Sequence, residues 1–246
     1  MPLIETTVLA DEHGHEIEKH DRKLYTLAEL KALDDRPAPE QDDEISSRAY
    51  ENALEWLSQG ESEFWSGQDE LDNYIQPEHF GLAGITFDAK KAEYNVGYGS
   101  IYFVLPHGTS IDTPVFLRAL KAWAEGRDYR GKDYAKADRK VVLHPYSQHK
   151  IDLRSKDARI AREQGLVVQT VSSMWSHSSD EFDLDYHYEG MSDEFKKDCN
   201  AFLSDLCHEA AYLLNAEYEY VTGDREYLME TAEANEYTFD RNGKRA

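Results

Sequence analysis

SDEFKKDCNAFLSDLCHEAAYLLNAEYEYVTG, residues 192–223, decides how the rest of this chain is read. Ser192 is a good helix N-cap, and Asp193 and Glu194 place negative charge on the first turn, where the helix dipole favours it. Phe195, Cys199, Phe202, Leu203, Leu206, Ala210, Leu213 and Leu214 then recur at three- and four-residue spacing. This predicts one apolar stripe on a long helix. The opposite face carries Lys196, Lys197, Asp205, Glu209 and Glu217 and is wetted. A stripe of this length must be covered, most simply by a sheet. Gly223 and Asp224 break the helix and open a shorter one through Leu228 and Met229. Tyr237-Thr238-Phe239 then reads as a short strand ended by Asn242-Gly243.

Around this stretch, Glu217 to Val221, Arg225 to Glu230 and Ala234 to Phe239 with Gly243 resemble the ending of a group of bacteriophage-encoded proteins. Those proteins often carry the label "antitoxin of toxin–antitoxin stability system". Tyr25 to Leu30, followed by Ala49 to Trp56, resembles their opening. The resemblance implies phage origin and an α+β fold, and it supplies no catalytic residues.

Moving outward, Leu3 to Leu9 is a strand or a loose terminal segment. His13, His15 and His20 offer metal-binding side chains, but without a fixed ligand spacing they read as an exposed loop. Thr26 with Glu29 forms a capping box before a short helix through Leu33. Asp34 to Asp43, with Pro37 and Pro39, is a turn or linker. Ile45, Ala49, Ala53, Trp56 and Leu57 make a second amphipathic stripe, expected to stop near Gly60. Phe64, Trp65, Leu71, Tyr74 and Ile75 suggest another helical piece before Pro77.

The pattern changes at Gly81. Leu82 to Asp88 reads as a strand, and Ile101 to Leu105 as a central buried one. Thr113-Pro114 starts a helix with Thr as cap, and Val115, Phe116, Leu120 and Trp123 face inward. Val141 to Leu143 and Val167 to Trp175 are further strands, and Asp157 to Gln164 is a helix stopped by Gly165. Phe182, Leu184, Tyr186 and Tyr188 alternate with Asp183, Asp185 and His187, the signature of a half-buried strand. The expected fold is α+β, a mainly antiparallel sheet with helices packed on one side and a long C-terminal helix. Residues 1–80 form a helical region packed on an α+β body, residues 81–246, in one compact unit.

Charge bounds the function. Forty-nine acidic residues oppose 27 basic ones, a formal charge of −22 in 246 residues. Phosphate backbones and anionic membranes repel such a surface, so direct nucleic-acid or membrane binding is not expected. An aromatic content of 12%, with 16 Tyr, is too rich for a disordered acidic chain. Arg127 to Arg162 is the exception, with eleven Lys or Arg against five Asp, a net +6 that leaves −28 on the remainder. That island could pair with acidic regions of a second copy, giving a homodimer. Cys199 and Cys207 lie eight positions apart on the predicted helix, about 12 Å, too far to bridge. This points to a reducing, cytoplasmic setting, and the resemblance to phage proteins implies that it is that of a bacterial host. No apolar run approaches a membrane span, and the N-terminus lacks signal-peptide features.

No phosphate loop, nucleophile elbow, HExxH or CxxC spacing is present. Gly97-Tyr98-Gly99 lacks a third glycine and reads as a bulge or close-packed turn. Tyr94, Tyr98 and Tyr102 fall on one face if the segment is a single strand. Asp183, Asp185 and His187 share a strand face, and with His144, His149 or His177 they could hold a divalent metal and activate water for hydrolysis of a nucleotide or nucleic acid. The plainer reading of that face is solvated polarity. A pocket between sheet and helix would suit a small-ligand sponge, although no residue pattern names a ligand.

The first expectation is a non-enzymatic, cofactor-free phage protein that binds and inhibits a host or phage protein with a basic surface. Its acids can imitate the phosphates of a nucleic acid. The expected contact residues are Glu55, Glu63, Trp65, Asp69, Asp183 and Asp185.

Overall fold

A computed structural model describes residues 3–10, 16–35, 48–97, 101–130, 151–166, 171–174 and 190–246. In chain order the elements are β1 Leu3–Ala10, β2 Glu16–Thr26, α1 Leu27–Asp34, α2 Ala49–Phe64 and α3 Gln68–Glu70, which continues as a π-helical stretch Leu71–Phe80. Then come β3 Ile85–Thr86, β4 Glu93–Asn95, β5 Tyr102–Leu105, β6 Ser110–Ile111 and α4 Thr113–Ala124. The chain closes with α5 Lys156–Gln164, β7 Val171–Met174, α6 Asp193–Gly223, α7 Arg225–Ala234 and β8 Thr238–Phe239. The fold is α+β. Among the described residues the strands pair antiparallel in three small sheets, β1-β2-β8, β3-β6 and β4-β5-β7.

The chain divides into two compact units, Met1–Trp65 with Glu219–Ala246, and Ser66–Tyr218. Gly81, where the sequence pattern changes, lies inside the second.

In the first unit, β2 pairs with β1 along its length and with β8 through Tyr25↔Phe239 and Thr26↔Thr238. His20 therefore sits in a strand, because ladder hydrogen bonds hold a charged segment that propensity alone leaves as loop. Thr26 caps α1 as expected. Its Oγ1 accepts from the Glu29 amide at 3.2 Å, and Glu29 Oε2 accepts from the Thr26 amide at 3.1 Å. Along α2, Ala49, Ala53, Leu54 and Leu57 turn into a core shared with Leu27, Leu30, Leu228 and Phe239. The helix runs through Gly60 to Phe64. A mid-helix glycine costs only about 1 kcal/mol, less than the buried face supplies.

In the second unit, Pro77 lies within the helical stretch instead of ending it. Proline has no N–H to give, and the wider π turn absorbs the missing bond. Phe103 and Leu105 of the central strand β5 are fully buried, and the Phe103 ring stacks on Phe80 at 5.4 Å. Tyr94 pairs with Phe103 and Asn95 with Tyr102, so Tyr94 and Tyr102 sit on adjacent strands and opposite faces. The antiparallel pairing of these strands removes the single-strand premise of a tyrosine row, and Tyr98 lies outside the described residues. Asp112, not Thr113, caps α4. Its Oδ1 accepts from the Val115 amide at 3.1 Å, with Pro114 in the first turn.

All eight apolar positions of the α6 stripe are buried, each large side chain contributing about 1.5–3 kcal/mol relative to exposure. Ser192 Oγ accepts from the Phe195 amide and donates to Asp157 Oδ2 at 2.7 Å, fixing the start of α6 against α5. Cys199 and Cys207 are buried free thiols. No helix among the described residues is long and apolar enough to cross a membrane.

Candidate functional site

Asp183, Asp185 and His187, with His144, His149 and His177, lie outside the described residues, as does all of the segment 182–188 that the sequence pattern reads as a strand. Among the described residues no group of three or more His, Cys, Asp or Glu side chains could hold a metal ion. The other expected contact residues fall among the described ones. Glu55 and Glu63 are exposed on α2, Trp65 is half-buried just after it, and Asp69 is exposed on α3 in the other unit.

The outer face of α2 follows from its periodicity. Positions 55 and 63 are two turns apart on the side opposite Ala53 and Leu57, so burial of one stripe turns the other to water. Neither carboxylate makes an ion pair among the described residues. Glu51, one turn earlier, is held by Arg225 at 2.9 Å. Beside Glu63, Phe64 is 87% exposed, an apolar ring at the helix end that no described residue covers. Trp56 is more sheltered, edge-on to Tyr237 and Phe239, with the Arg245 guanidinium over its ring at 5.8 Å.

Sequence reasoning missed two sites. The first is a buried polar centre in the second unit. His79 is 1% exposed, its Nε2 donates to the Leu206 carbonyl at 2.9 Å, and its Nδ1 accepts from the Tyr129 hydroxyl at 2.8 Å. Burial lowers its pKa to about 4, against the opposing effect of the Leu206 bond. Beside it, Arg130 Nε and Nη2 clasp Asp128 at 3.1 and 3.0 Å, with the Arg130 side chain 3% exposed. Burial pushes the Asp128 carboxyl up, but the Arg130 hydrogen bonds outweigh it and hold it below the usual range. Burial also raises the Tyr129 phenol well above its ordinary value.

On α6, Glu209 is raised to about 7, chiefly by burial, with the Arg130 charge opposing and Asp205 adding to the rise. Asp205 accepts from Trp123 Nε1 at 2.7 Å. Perturbed groups in a cluster are the usual mark of an active site. Here both His79 nitrogens are engaged and the ring meets almost no solvent, so it cannot take a proton from a bound substrate. The centre positions secondary structure. His79, Tyr129 and Leu206 are 50 or more positions apart in sequence, and no local pattern joins them.

The second missed site is a groove of about 870 Å³ in the first unit, between α1 and α7 and bordered by Thr26 and Thr238 of the strand pair. Leu27, Ala28, Met229 and Tyr237 supply apolar surface, and Glu226, Glu230, Glu233 and Glu236 line it with carboxylates. The helical spacing of these glutamates is legible in the sequence. The groove is not.

No family model, curated protein or solved structure matches the chain.

Proposed function

We propose that this chain is a non-enzymatic, acidic docking protein of phage origin that binds and inhibits a basic host or phage protein, in an antitoxin-like or anti-defence role. The observation that carries this reading is α2, where Glu55 and Glu63 are exposed with no ion pair among the described residues and the bare Phe64 ring follows Glu63 at the helix end. An aromatic anchor with a charged surround is the anatomy of a protein interface. The formal charge of −22 supports the same reading, because complementary charge accelerates encounter with a basic surface. Phage origin rests on the resemblance of the two ends of the chain. Two buried free thiols suit a reducing bacterial cytoplasm. No cofactor enters this role.

Tagged wild-type protein and a Glu55→Lys/Glu63→Lys/Phe64→Ser variant, incubated with host lysate at low and high salt, test the reading. The wild type is expected to retain a basic or nucleic-acid-processing protein at low salt, and the variant to lose it. Recovery of no basic partner, or identical recovery by both, contradicts it.

A further inference from the structure

The groove between α1 and α7 adds what the α2 face lacks, a shape. Glu226, Glu230 and Glu233 follow one another at helical spacing along α7 with Leu228 and Ala232 buried behind them, and Glu236 sits just past the helix end. All four glutamates are exposed, and none makes an ion pair among the described residues. Neither cation lining the groove is within ion-pair distance of these four glutamates among the described residues. Arg225 is clasped by Glu51 at 2.9 and 3.1 Å, and the Lys31 ammonium leans over the Met229 sulfur at 3.9 Å.

Glu236 carries a further sign. It has φ +52, the only positive φ at a non-glycine among the described residues. Its amide donates to the Glu233 carbonyl and the Tyr237 amide to the Ala232 carbonyl, which makes it the left-handed residue that closes a helix. Glycine relaxes that position; here a carboxylate occupies it at the groove edge.

We infer that this groove receives a cationic amphipathic helix of the partner. The inference rests on the docking reading above and names the partner's element. An apolar floor under a row of unneutralised carboxylates is complementary to a helix with apolar anchors and lysines or arginines at three- and four-residue spacing. The ten residues of α7 extend roughly 15 Å, room for about three turns of such a helix. A small polyamine answers the carboxylates and leaves the apolar floor wet. A phosphate-bearing ligand meets the wrong charge.

The test uses the full chain, fluorescence anisotropy and three labelled probes of equal length: an amphipathic Leu/Lys helix, its Leu/Glu counterpart and a Ser/Lys peptide. Spermine is the competitor. At physiological ionic strength, where distant charges are screened, the Leu/Lys helix is expected to bind alone among the three. Glu230→Lys/Glu233→Lys should weaken it by about tenfold or more, with an unchanged circular dichroism spectrum. Glu93→Lys/Glu194→Lys, a charge reversal at two exposed acids of the second unit, should leave it unchanged. Equal binding of the Ser/Lys peptide, displacement by spermine at micromolar level, or indifference to the groove substitutions overturns the inference. Sensitivity to Glu55→Lys/Glu63→Lys alone discards the groove and keeps the docking reading.

Discussion

The hydroxyl of Tyr129 lies 2.8 Å from Nδ1 of His79, closing a buried ring whose far nitrogen donates to the Leu206 carbonyl. The tautomer is thereby fixed, with the proton on Nε2. Tyr129→Phe leaves Nδ1 buried without a donor and should cost about 1–3 kcal/mol. Chemical denaturation at neutral pH measures it, and no change in the midpoint contradicts this role. The same ring sets a pH dependence. The folded pKa of His79 is depressed from 6.5 to about 4, so the unfolded chain binds the proton first. The stability it supports is complete above pH 6.5 and declines as the pH falls toward 4.

Glu209 works in the opposite direction. Its folded pKa is raised from 4.5 to about 7, so the neutral carboxyl is the favoured native form. That contribution is full below pH 4.5 and is lost as the pH climbs to 7. Glu209→Gln keeps the neutral shape and should stabilise the protein by about 1–2 kcal/mol at pH 8, discounted for partial exposure. At pH 4 the variant and wild type should melt together. A variant less stable than wild type at pH 8 contradicts a buried, unfavourable charge.

Two glycines make a graded pair. A Cβ at Gly243, φ +78, would overlap the Ala49 carbonyl, which is helix backbone and cannot yield. Gly243→Ala should cost about 3 kcal/mol or more. At Gly97, φ +83, the new atom would meet Tyr218 Cε1 at 2.9 Å, a ring that can turn aside. Gly97→Ala should cost about 1–2 kcal/mol. Thermal melts rank the two, and a reversed order contradicts these contacts.

Glu236→Gly should raise stability by about 1 kcal/mol by relieving the left-handed strain. A loss of stability in a denaturant melt means that the Glu236 side chain supports the fold and is not a surface group at the groove.

Much of the architecture was legible because it rests on local rules. The stripe from Phe195 to Leu214, the Thr26–Glu29 capping box and the break at Gly223-Asp224 each follow from spacing and capping chemistry, and each is present. Expectations diverged where tertiary structure outweighs local preference. Gly60 is carried inside α2 by the buried face on its other side, Pro77 is absorbed in a π turn, and Tyr94 and Tyr102 lie on two antiparallel strands. The cap of α4 moved one position because the Asp112 carboxylate reaches the Val115 amide, with Thr113 buried in the first turn. At the site, periodicity placed Glu55 and Glu63 on a wetted face. It did not anticipate the bare Phe64 next to Glu63, since burial of an aromatic is the default. The His79–Tyr129 pair and the α1–α7 groove join segments far apart in sequence, which no window along the chain can bring together.

The central claim is that this chain acts by electrostatically steered docking. The most direct measurement is the association rate with a basic partner isolated through the wild-type protein, followed across ionic strength. The account predicts a rate that falls steeply with added salt, and a shallower fall for Glu55→Lys/Glu63→Lys. A rate indifferent both to salt and to the charge reversal would contradict it.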